Sequence, residues 1–216
     1  MTQFLDLWVQ YAPLMLAGLV TTAWICALAT VLGIVVGLVL ACLDGIAFEP
    51  LRWAVRVYVE FMRGLPILIL LFVLYYGGPS LGFRLGAQTV GVLGLGFYGG
   101  AYFAEIFRSG FQSIPKGQIE AARIAGLTGT QIIRHIKLPQ MLVLITPAIV
   151  NQIIILIKES AVLSIITVAE LTKNTTQFVN ETYAVIQPYV AAAVLYWLLV
   201  EAVAQLGKLV ERRVKF

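Results

Sequence analysis

Charged side chains are scarce in this chain of 216 residues. Only 12% of the residues are charged and the mean hydropathy is +0.92, whereas about a quarter of the residues in a soluble domain carry charge. No charged residue lies between Asp6 and Asp44, and that run is longer than the roughly 20 apolar residues that cross a bilayer. These features exclude a soluble globular domain and predict an all-α integral membrane protein.

Residues that carry catalysis or bind metals are also few. The chain has one histidine, His135, and two cysteines, Cys26 and Cys42. Both cysteines fall in the first apolar run, which favours buried free thiols over a disulfide or a metal site. No catalytic constellation surrounds the histidine, which argues against a membrane enzyme. The basic residues lie between apolar segments rather than on one soluble face, so no nucleic-acid partner is expected.

The chain also lacks the G-x-x-x-x-G-K-[ST] loop that binds nucleotide phosphates, and its length leaves no room for a nucleotide-binding domain. Any ATP and Mg²⁺ that power its function are therefore expected to bind to a separate subunit. No cofactor is expected in this chain.

Five apolar segments predict five transmembrane spans in a single domain, residues 1–216. The second span is expected to break or bend near Arg63 and Pro66. A further apolar stretch, residues 161–171, is too short to cross and predicts a re-entrant or half-membrane helix. The expected spans are residues 12–43, 53–76, 86–107, 138–157 and 183–206.

The positions of the basic residues predict the orientation of these spans. Twelve of the 15 Lys and Arg residues follow the first, third or fifth span, while Arg84, Lys158 and Lys173 lie on the other side. Because cytoplasmic loops carry the excess of basic residues, the N-terminus is expected outside and the C-terminus in the cytoplasm. Residues 108–137 then form a cytoplasmic loop.

That loop has its own helix signals. Pro115 suits a first helical turn, Gly126 suits the left-handed position that ends a helix, and Thr128 with Gln131 has the form of a capping box. The pattern predicts helix, glycine turn and helix against the inner membrane surface, with the second helix ending or kinking near Pro139. From these signals alone, an ordinary amphipathic connector is equally compatible.

The residues "EAARIAGLTGTQIIRHIKLP" resemble the EAA loop of permease subunits of bacterial ABC importers. The family pattern asks for Glu-Ala-Ala, a glycine four positions later, and Ile-x-Leu-Pro ten positions after that. Residues 61–171 also resemble the polar amino acid branch of these permeases, in "FMRGLPILILLFVLYYGGP" and "NQIIILIKESAVLSIITVAEL". The matching positions of the loop are Glu120, Ala121, Ala122, Gly126, Ile136, Leu138 and Pro139.

The resemblance implies the five-helix type I importer (MetI-like) permease fold and a multi-pass location in the bacterial cytoplasmic (inner) membrane. It further implies that the EAA residues form a coupling helix that docks into an ABC ATPase dimer. The other implied partners are a second permease, identical or related, an extracytoplasmic solute-binding protein, and a polar or charged amino acid as substrate. Two departures from the family pattern are "KESA" in place of Lys-Asp-Thr-Ser, and "LPQMLVL" without its arginine.

Polar side chains at membrane depth are costly and are therefore candidates for function. A broken helix near such residues is a common way to build a transport site. Lys158 and Glu159 suit the two charges of an amino acid zwitterion, although pairing with each other or with a partner subunit is the alternative. Glu105 and Arg108 are expected to form an ion pair on one helix face. The candidates for the substrate path are Asn151, Gln152, Lys158, Glu159, Ser160 and Ser164.

A second function is compatible with a membrane chain of this size, namely an autonomous secondary amino acid carrier. Such a carrier predicts an internal repeat and carboxylates in the middle of spans that bind a coupling ion. Neither pattern is evident in the sequence, so the importer permease is the favoured interpretation.

Overall fold

A computed structural model describes residues 2–214, and these residues fold into helices and the turns between them. Short π-helical or 3₁₀ segments follow α3, α6 and α7. The helices are α1 (Thr2–Asp44), α2 (Glu49–Gly64), α3 (Ile67–Phe72), α4 (Ala87–Gln112), α5 (Lys116–Ile124), α6 (Gly129–Ile132), α7 (Leu138–Glu159), α8 (Leu171–Thr182) and α9 (Ile186–Val214).

Four helical segments are long and apolar enough to cross a membrane. They are Val9–Asp44, Ala87–Gln112, Gly129–Ile166 and Ile186–Val214. A fifth crossing is available if the bent pair Glu49–Gly64 and Ile67–Ser80 counts as one span. The architecture is therefore the all-helical arrangement expected from the apolar runs.

The bend expected near Arg63 and Pro66 lies between α2 and α3, where the chain turns by 104°. Leu65 has an extended backbone with φ −95° and ψ 132°. Proline disfavours the helical conformation in the residue before it, so α2 ends at Gly64 and α3 begins after Pro66.

Glycines bring α1 and α4 into close contact. A Cβ atom at Gly37 would lie 2.6 Å from the Cβ of Phe103, and one at Gly100 would lie 2.7 Å from Cγ1 of Val36. The two Gly-x-x-x-Gly patterns of α1 and α4 therefore face each other, the packing that small residues permit in membrane helices. A larger side chain at either position would force the helices apart.

The core lies among α1, α3, α4 and α7. Its buried members include Ile25, Leu71, Phe103, Leu156 and Leu163. A smaller buried cluster joins α8 and α9 to the first turns of α1. The first cluster fixes α7 and the 3₁₀ segment after it, which carry the six substrate-path candidates singled out in the sequence.

The half-membrane helix expected over residues 161–171 is not present in that form. Residues Ser160–Ile166 continue α7 as a 3₁₀ helix, Thr167 takes a left-handed conformation with φ 68°, and α8 starts only at Leu171. The prediction was wrong because the apolar stretch does not form a helix of its own: its first part extends α7, and the chain turns at Thr167. The next helix, α8, is largely polar, so the apolar pattern of the sequence did not reveal it. Cys26 and Cys42 are both free thiols as expected, although Cys42 is exposed rather than buried.

Candidate functional site

The first helix of the EAA loop ends in a Schellman motif. Leu127 N–H donates to the Ala122 carbonyl at 3.0 Å, and Gly126 N–H donates to the Arg123 carbonyl at 3.0 Å. Gly126 has φ +80°, a conformation that glycine adopts without steric cost. The glycine stop expected at this position is therefore present. We call residues 116–139 the coupling segment.

The second helix of the coupling segment starts as the sequence predicts. Thr128 and Gln131 form a reciprocal capping box, in which Thr128 N–H donates to Gln131 Oε1 at 2.8 Å. The helix does not stop near Pro139, one of the two expected outcomes, because helical structure runs on from Gly129 to Ile166. A π-helical turn at Ile133–Lys137 precedes the proline, and Leu138 N–H bonds to the Ile133 carbonyl. Pro139 lies in the first turn of α7, where the missing N–H of proline is tolerated.

The first turn of the segment is anchored to the fourth span. Gln140 Nε2, in the first turn of α7, donates to Gln118 Oε1 in α5 at 2.7 Å. Ile136 and Pro139 are half-buried, and Leu138 is 38% exposed. The loop expected over residues 108–137 is thus almost entirely helical, since α4 extends to Gln112 and α6 merges into α7.

One face of α5 is open to a partner. Glu120 and Ala121 are exposed, whereas Ala122 is buried against the protein. Ile124 is 89% exposed, an unusual position for a large apolar side chain at the end of a polar helix. The family pattern does not single out Ile124, and a strongly polar helix with one isoleucine at its end was the signal available in the sequence.

The structure divides the polar residues of α7 into two groups. Asn151 and Gln152 line a cavity of about 230 Å³ between α2, α4 and α7, which we call the polar cavity. The sequence pattern placed neither Arg63 nor Tyr102 there, because these residues come from helices distant along the chain. The lining of the polar cavity is Arg63, Tyr102, Glu105, Ile106, Ala148, Asn151 and Gln152.

Gln152 is the buried donor of the polar cavity. The residue is 4% exposed, and its Nε2 is buried without a hydrogen-bond partner among the described residues. The Arg63 guanidinium lies 5.6 Å from the centre of the Tyr102 ring. Because leaving a buried donor unpaired costs about 1–3 kcal/mol, Gln152 is suited to a ligand that brings its own acceptor.

The other four candidates do not line the polar cavity. Ser160 Oγ donates to the Ile157 carbonyl at 2.7 Å and Ser164 Oγ donates to the Ala161 carbonyl at 2.8 Å, so both hydroxyls are bonded within their own helix. Lys158 is exposed and Glu159 is half-buried. The six candidates are therefore divided in this conformation, with Asn151 and Gln152 in the polar cavity and the other four outside its lining.

A second cavity, of about 360 Å³, shares Arg63 and Glu105 with the polar cavity. Glu105 and Arg108 form the ion pair expected from their spacing, with Arg108 Nε donating to Glu105 Oε2 at 2.8 Å. Acidic and basic side chains thus continue from the polar cavity toward the end of α1. The charged members of the second cavity are Asp44, Arg56, Glu60, Arg63, Glu105 and Arg108.

Glu170, which no sequence pattern singled out, is fully buried at the start of α8. Its carboxylate accepts from the backbone N–H groups of Thr172 at 2.8 Å and Lys173 at 2.6 Å, and from Tyr196 Oη at 2.8 Å. Glu170 lies outside the candidate spans, and burial raises the pKa of its carboxyl above the ordinary value of 4.5. We call these four residues the Glu170 cluster. Within residues 2–214, no group of three His, Cys, Asp or Glu side chains is arranged to hold a metal.

Comparison with known proteins places this geometry in a family. Residues 33–216 match the family described as "Binding-protein-dependent transport system inner membrane component". The arginine transport system permease protein ArtQ of Bacillus subtilis (strain 168) is 34% identical over 204 residues, 94% of this chain and 93% of that protein. The probable glutamine ABC transporter permease protein GlnM of the same organism is 37% identical over 165 residues, 76% of each chain.

Solved structures agree with the sequence matches. A crystal structure of an amino acid ABC transporter with histidines is similar with a TM-score of 0.89 and 36% identity, covering 95% of this chain and 96% of that one. An inward-facing structure of the MetNI methionine ABC transporter is similar with a TM-score of 0.76 and 25% identity, covering 94% and 97%. The fold is therefore the type I importer (MetI-like) permease fold. The chain belongs to the family of binding-protein-dependent transport system inner membrane components.

Proposed function

We propose that this chain is the permease subunit of an ATP-driven ABC importer and forms the translocation path for a polar or charged amino acid. The relatives named above are permeases of amino acid transport systems. The single observation that carries the proposal is the coupling segment, in which α5 has an exposed face and the capped helix α6 continues into a spanning helix.

The coupling segment suits the docking of a cytoplasmic ATPase subunit. Ile124 offers an apolar contact, and Glu120 offers a charge for hydrogen bonds across the interface. The Gln118–Gln140 bond and the unbroken helix from Gly129 to Ile166 connect this face rigidly to the membrane. A push on α5 would therefore move α7 as a body, which is how rigid elements transmit domain closure.

The polar cavity suits the substrate path. It combines a guanidinium from Arg63, a free amide donor from Gln152 and a carboxylate from Glu105. A carboxylate of the substrate would accept from Gln152 and Arg63, and an ammonium or guanidinium group would face Glu105. Lys158 and Glu159, at the opposite end of α7 from the coupling segment, remain candidates for an earlier, outer position on the path.

The proposal includes partners and orientation. The N-terminus lies outside and the C-terminus in the cytoplasm, in the bacterial cytoplasmic (inner) membrane, which places the coupling segment beside the ATPase dimer. A second permease completes the path, and an extracytoplasmic solute-binding protein delivers the amino acid. ATP and Mg²⁺ bind to the ATPase subunits, whose closure opens the path outward, and hydrolysis returns it inward. An autonomous secondary carrier would not need an exposed docking helix of this kind.

The experiment replaces Gly126 with leucine in the purified transporter reconstituted in lipid. Left-handed backbone costs a residue with a Cβ about 1–2 kcal/mol, so the end of α5 would be reshaped while the spans stay intact. We expect ATP hydrolysis to continue and amino acid uptake per ATP to fall at least about tenfold.

Gly129→Leu is the matched control. A Cβ atom added at either glycine would meet open space, but only Gly126 has positive φ. Uptake per ATP should change less than about twofold in the control. Unchanged coupling in Gly126→Leu, or transport by the permease without any ATPase, would contradict the proposed function.

A further inference from the structure

An apolar groove of about 600 Å³ lies between α1, α7 and α9. On α9 its lining runs from Leu199 to Val214, a length of about 22 Å at 1.5 Å per residue. All three helices belong to segments that are apolar enough to span a membrane. The groove is therefore open to the hydrocarbon region of the bilayer.

The floor of the groove offers almost nothing to a polar ligand. Thr146 Oγ1 already donates to the Leu142 carbonyl at 2.6 Å, and Cys26 Sγ is directed to the Leu156 carbonyl at 3.9 Å. The hydroxyl of Thr30, which is 8% exposed, is buried without a hydrogen-bond partner among the described residues, so the lining offers an occupant this one polar contact. An occupant with a long apolar chain fits this lining, since the chain gives up no polar contacts when it moves from water or lipid into the groove.

The two faces of α9 differ in polarity and therefore suit different neighbours. The groove is lined by Leu199, Val203, Leu206 and Val210. Two residues after each of them comes a polar residue, about 200° around the helix, and these form a stripe on the opposite face. Because a charged side chain such as Glu201 is costly against lipid tails, a protein or an aqueous path is expected on the stripe side of the span. Lys208 and Arg212 follow the expected span 183–206. The stripe is Glu201, Gln205, Lys208 and Arg212.

The charge at the end of the groove indicates the kind of lipid. The lining on α9 reaches Val214, the last residue that the structure describes, and Arg213 lies three residues after Val210, on the groove side of the helix. The last three turns of α9 also carry Lys208 and Arg212, with Glu211 as their acidic residue. Long basic side chains reach along a surface while their apolar stems stay packed, so Arg213 can meet a phosphate at the groove mouth.

We propose that the groove is a binding site for one anionic phospholipid, with an acyl chain between α1, α7 and α9 and the headgroup phosphate bound by Arg213. The groove is thus distinct from the polar cavity, whose residues Ala148, Asn151 and Gln152 lie on the other side of α7. The lipid covers the apolar face of α9, which lies opposite the polar stripe.

The test adds phosphatidylglycerol or phosphatidylcholine with the same acyl chains to the delipidated transporter, and counts bound lipids by native mass spectrometry. We expect one tightly bound phosphatidylglycerol per permease, with at least about fivefold preference over phosphatidylcholine, as one basic contact supplies. Ala27→Phe, which fills the groove, should weaken that binding at least about tenfold. Leu28→Phe, on the exposed side of the same helix and outside the groove, should leave it unchanged.

Arg213→Gln should reduce phosphatidylglycerol to the affinity of phosphatidylcholine, whereas Arg212→Gln on the stripe side should keep the preference. If Ala27→Phe does not fold, Leu206→Trp at the exposed rim fills the groove instead. Equal affinity for the two lipids, or equal effects in each variant and its control, would overturn the proposal. So would a groove-filling variant that separates two permeases while lipid binding persists, because the occupant would then be protein.

Discussion

The coupling segment and the Glu170 cluster both start a helix with a side-chain cap, but they hold that helix in opposite ways. The cap of α6 is exposed, and its partners Thr128 and Gln131 are three residues apart. The cap of α8 is fully buried, and the Glu170 carboxylate also accepts from Tyr196, 26 residues along the chain in α9. The first cap is built by neighbouring residues, and the second exists only once α8 and α9 have packed together.

This difference matches the surroundings of each helix. The proposed docking surface has to keep its shape while one face stays in water, so short-range bonds that need no burial are suited to it. The start of α8 lies where α7, α1 and α9 meet, and there each polar group must be paired because water is excluded. The two caps should therefore differ in their contribution to stability and in their tolerance of substitution.

The largest expected effect is that of Glu170→Ala. The substitution removes a helix cap, worth about 1–2 kcal/mol, and leaves buried donors unpaired, at about 1–3 kcal/mol. We expect the unfolding temperature of the purified permease in detergent to fall by at least about 5 °C. Thr128→Ala, the same change at the exposed cap, should lower it by no more than about 3 °C. Equal losses would show that burial adds nothing to the second cap.

The Glu170 cap should also respond to pH. Its folded-state pKa lies above the ordinary value of 4.5 because of burial, so its favourable contribution is complete below that value and declines as the pH rises through the folded-state pKa. The wild-type unfolding temperature should therefore fall, relative to Glu170→Gln, as the pH is raised from 4.5. A difference between the two proteins that does not change with pH would contradict a raised pKa.

The sequence was informative where the structure is local. Gly126 and the Thr128–Gln131 box were readable because glycine conformation and capping depend on residues within one turn. Pro139 does not stop the helix, because it lies in the first turn of α7, directly after a π turn at Ile133–Lys137. Arg63 and Tyr102 joined Asn151 and Gln152 only through the packing of three helices, which no spacing along the chain encodes. Glu170 was invisible for the same reason, since its burial comes from α1 and α9.

Ile124→Glu tests the coupling segment, the more exposed of the two regions compared. A charge at a position that is 89% exposed should not disturb folding, so the unfolding temperature should stay within about 2 °C. Burying that charge against a partner would be costly, so the amount of co-purifying ATPase should fall at least about tenfold. Thr130→Glu, exposed at the start of α6, is the control and should retain the partner. Full retention in Ile124→Glu would place the docking contact elsewhere.

Gln152→Leu tests a buried polar group that, unlike Glu170, is unpaired within residues 2–214. Because Gln152 Nε2 has no partner among the described residues, its removal should leave the unfolding temperature unchanged or slightly higher. Amino acid uptake should nevertheless fall about tenfold if the amide binds substrate. Ser164→Ala is the matched control, since that hydroxyl bonds to its own helix and its loss should change uptake less than about twofold. Reversed results would move the substrate path from the polar cavity toward the end of α7.

The smallest effect is expected for the ion pair between Glu105 and Arg108, whose burial is intermediate between those of the two caps. The two residues are three apart in the sequence, like the cap partners of the coupling segment, but the pair lies between the polar cavity and the second cavity of about 360 Å³. Both side chains are about one-third exposed, so a double-mutant cycle of Glu105→Gln and Arg108→Gln should give a coupling energy of only about 0.3–0.5 kcal/mol. Uptake should fall in Glu105→Gln alone if that carboxylate faces the substrate. A large coupling energy with unchanged uptake would instead make the pair a structural contact, and its interaction would then depend on burial as the Glu170 cap does.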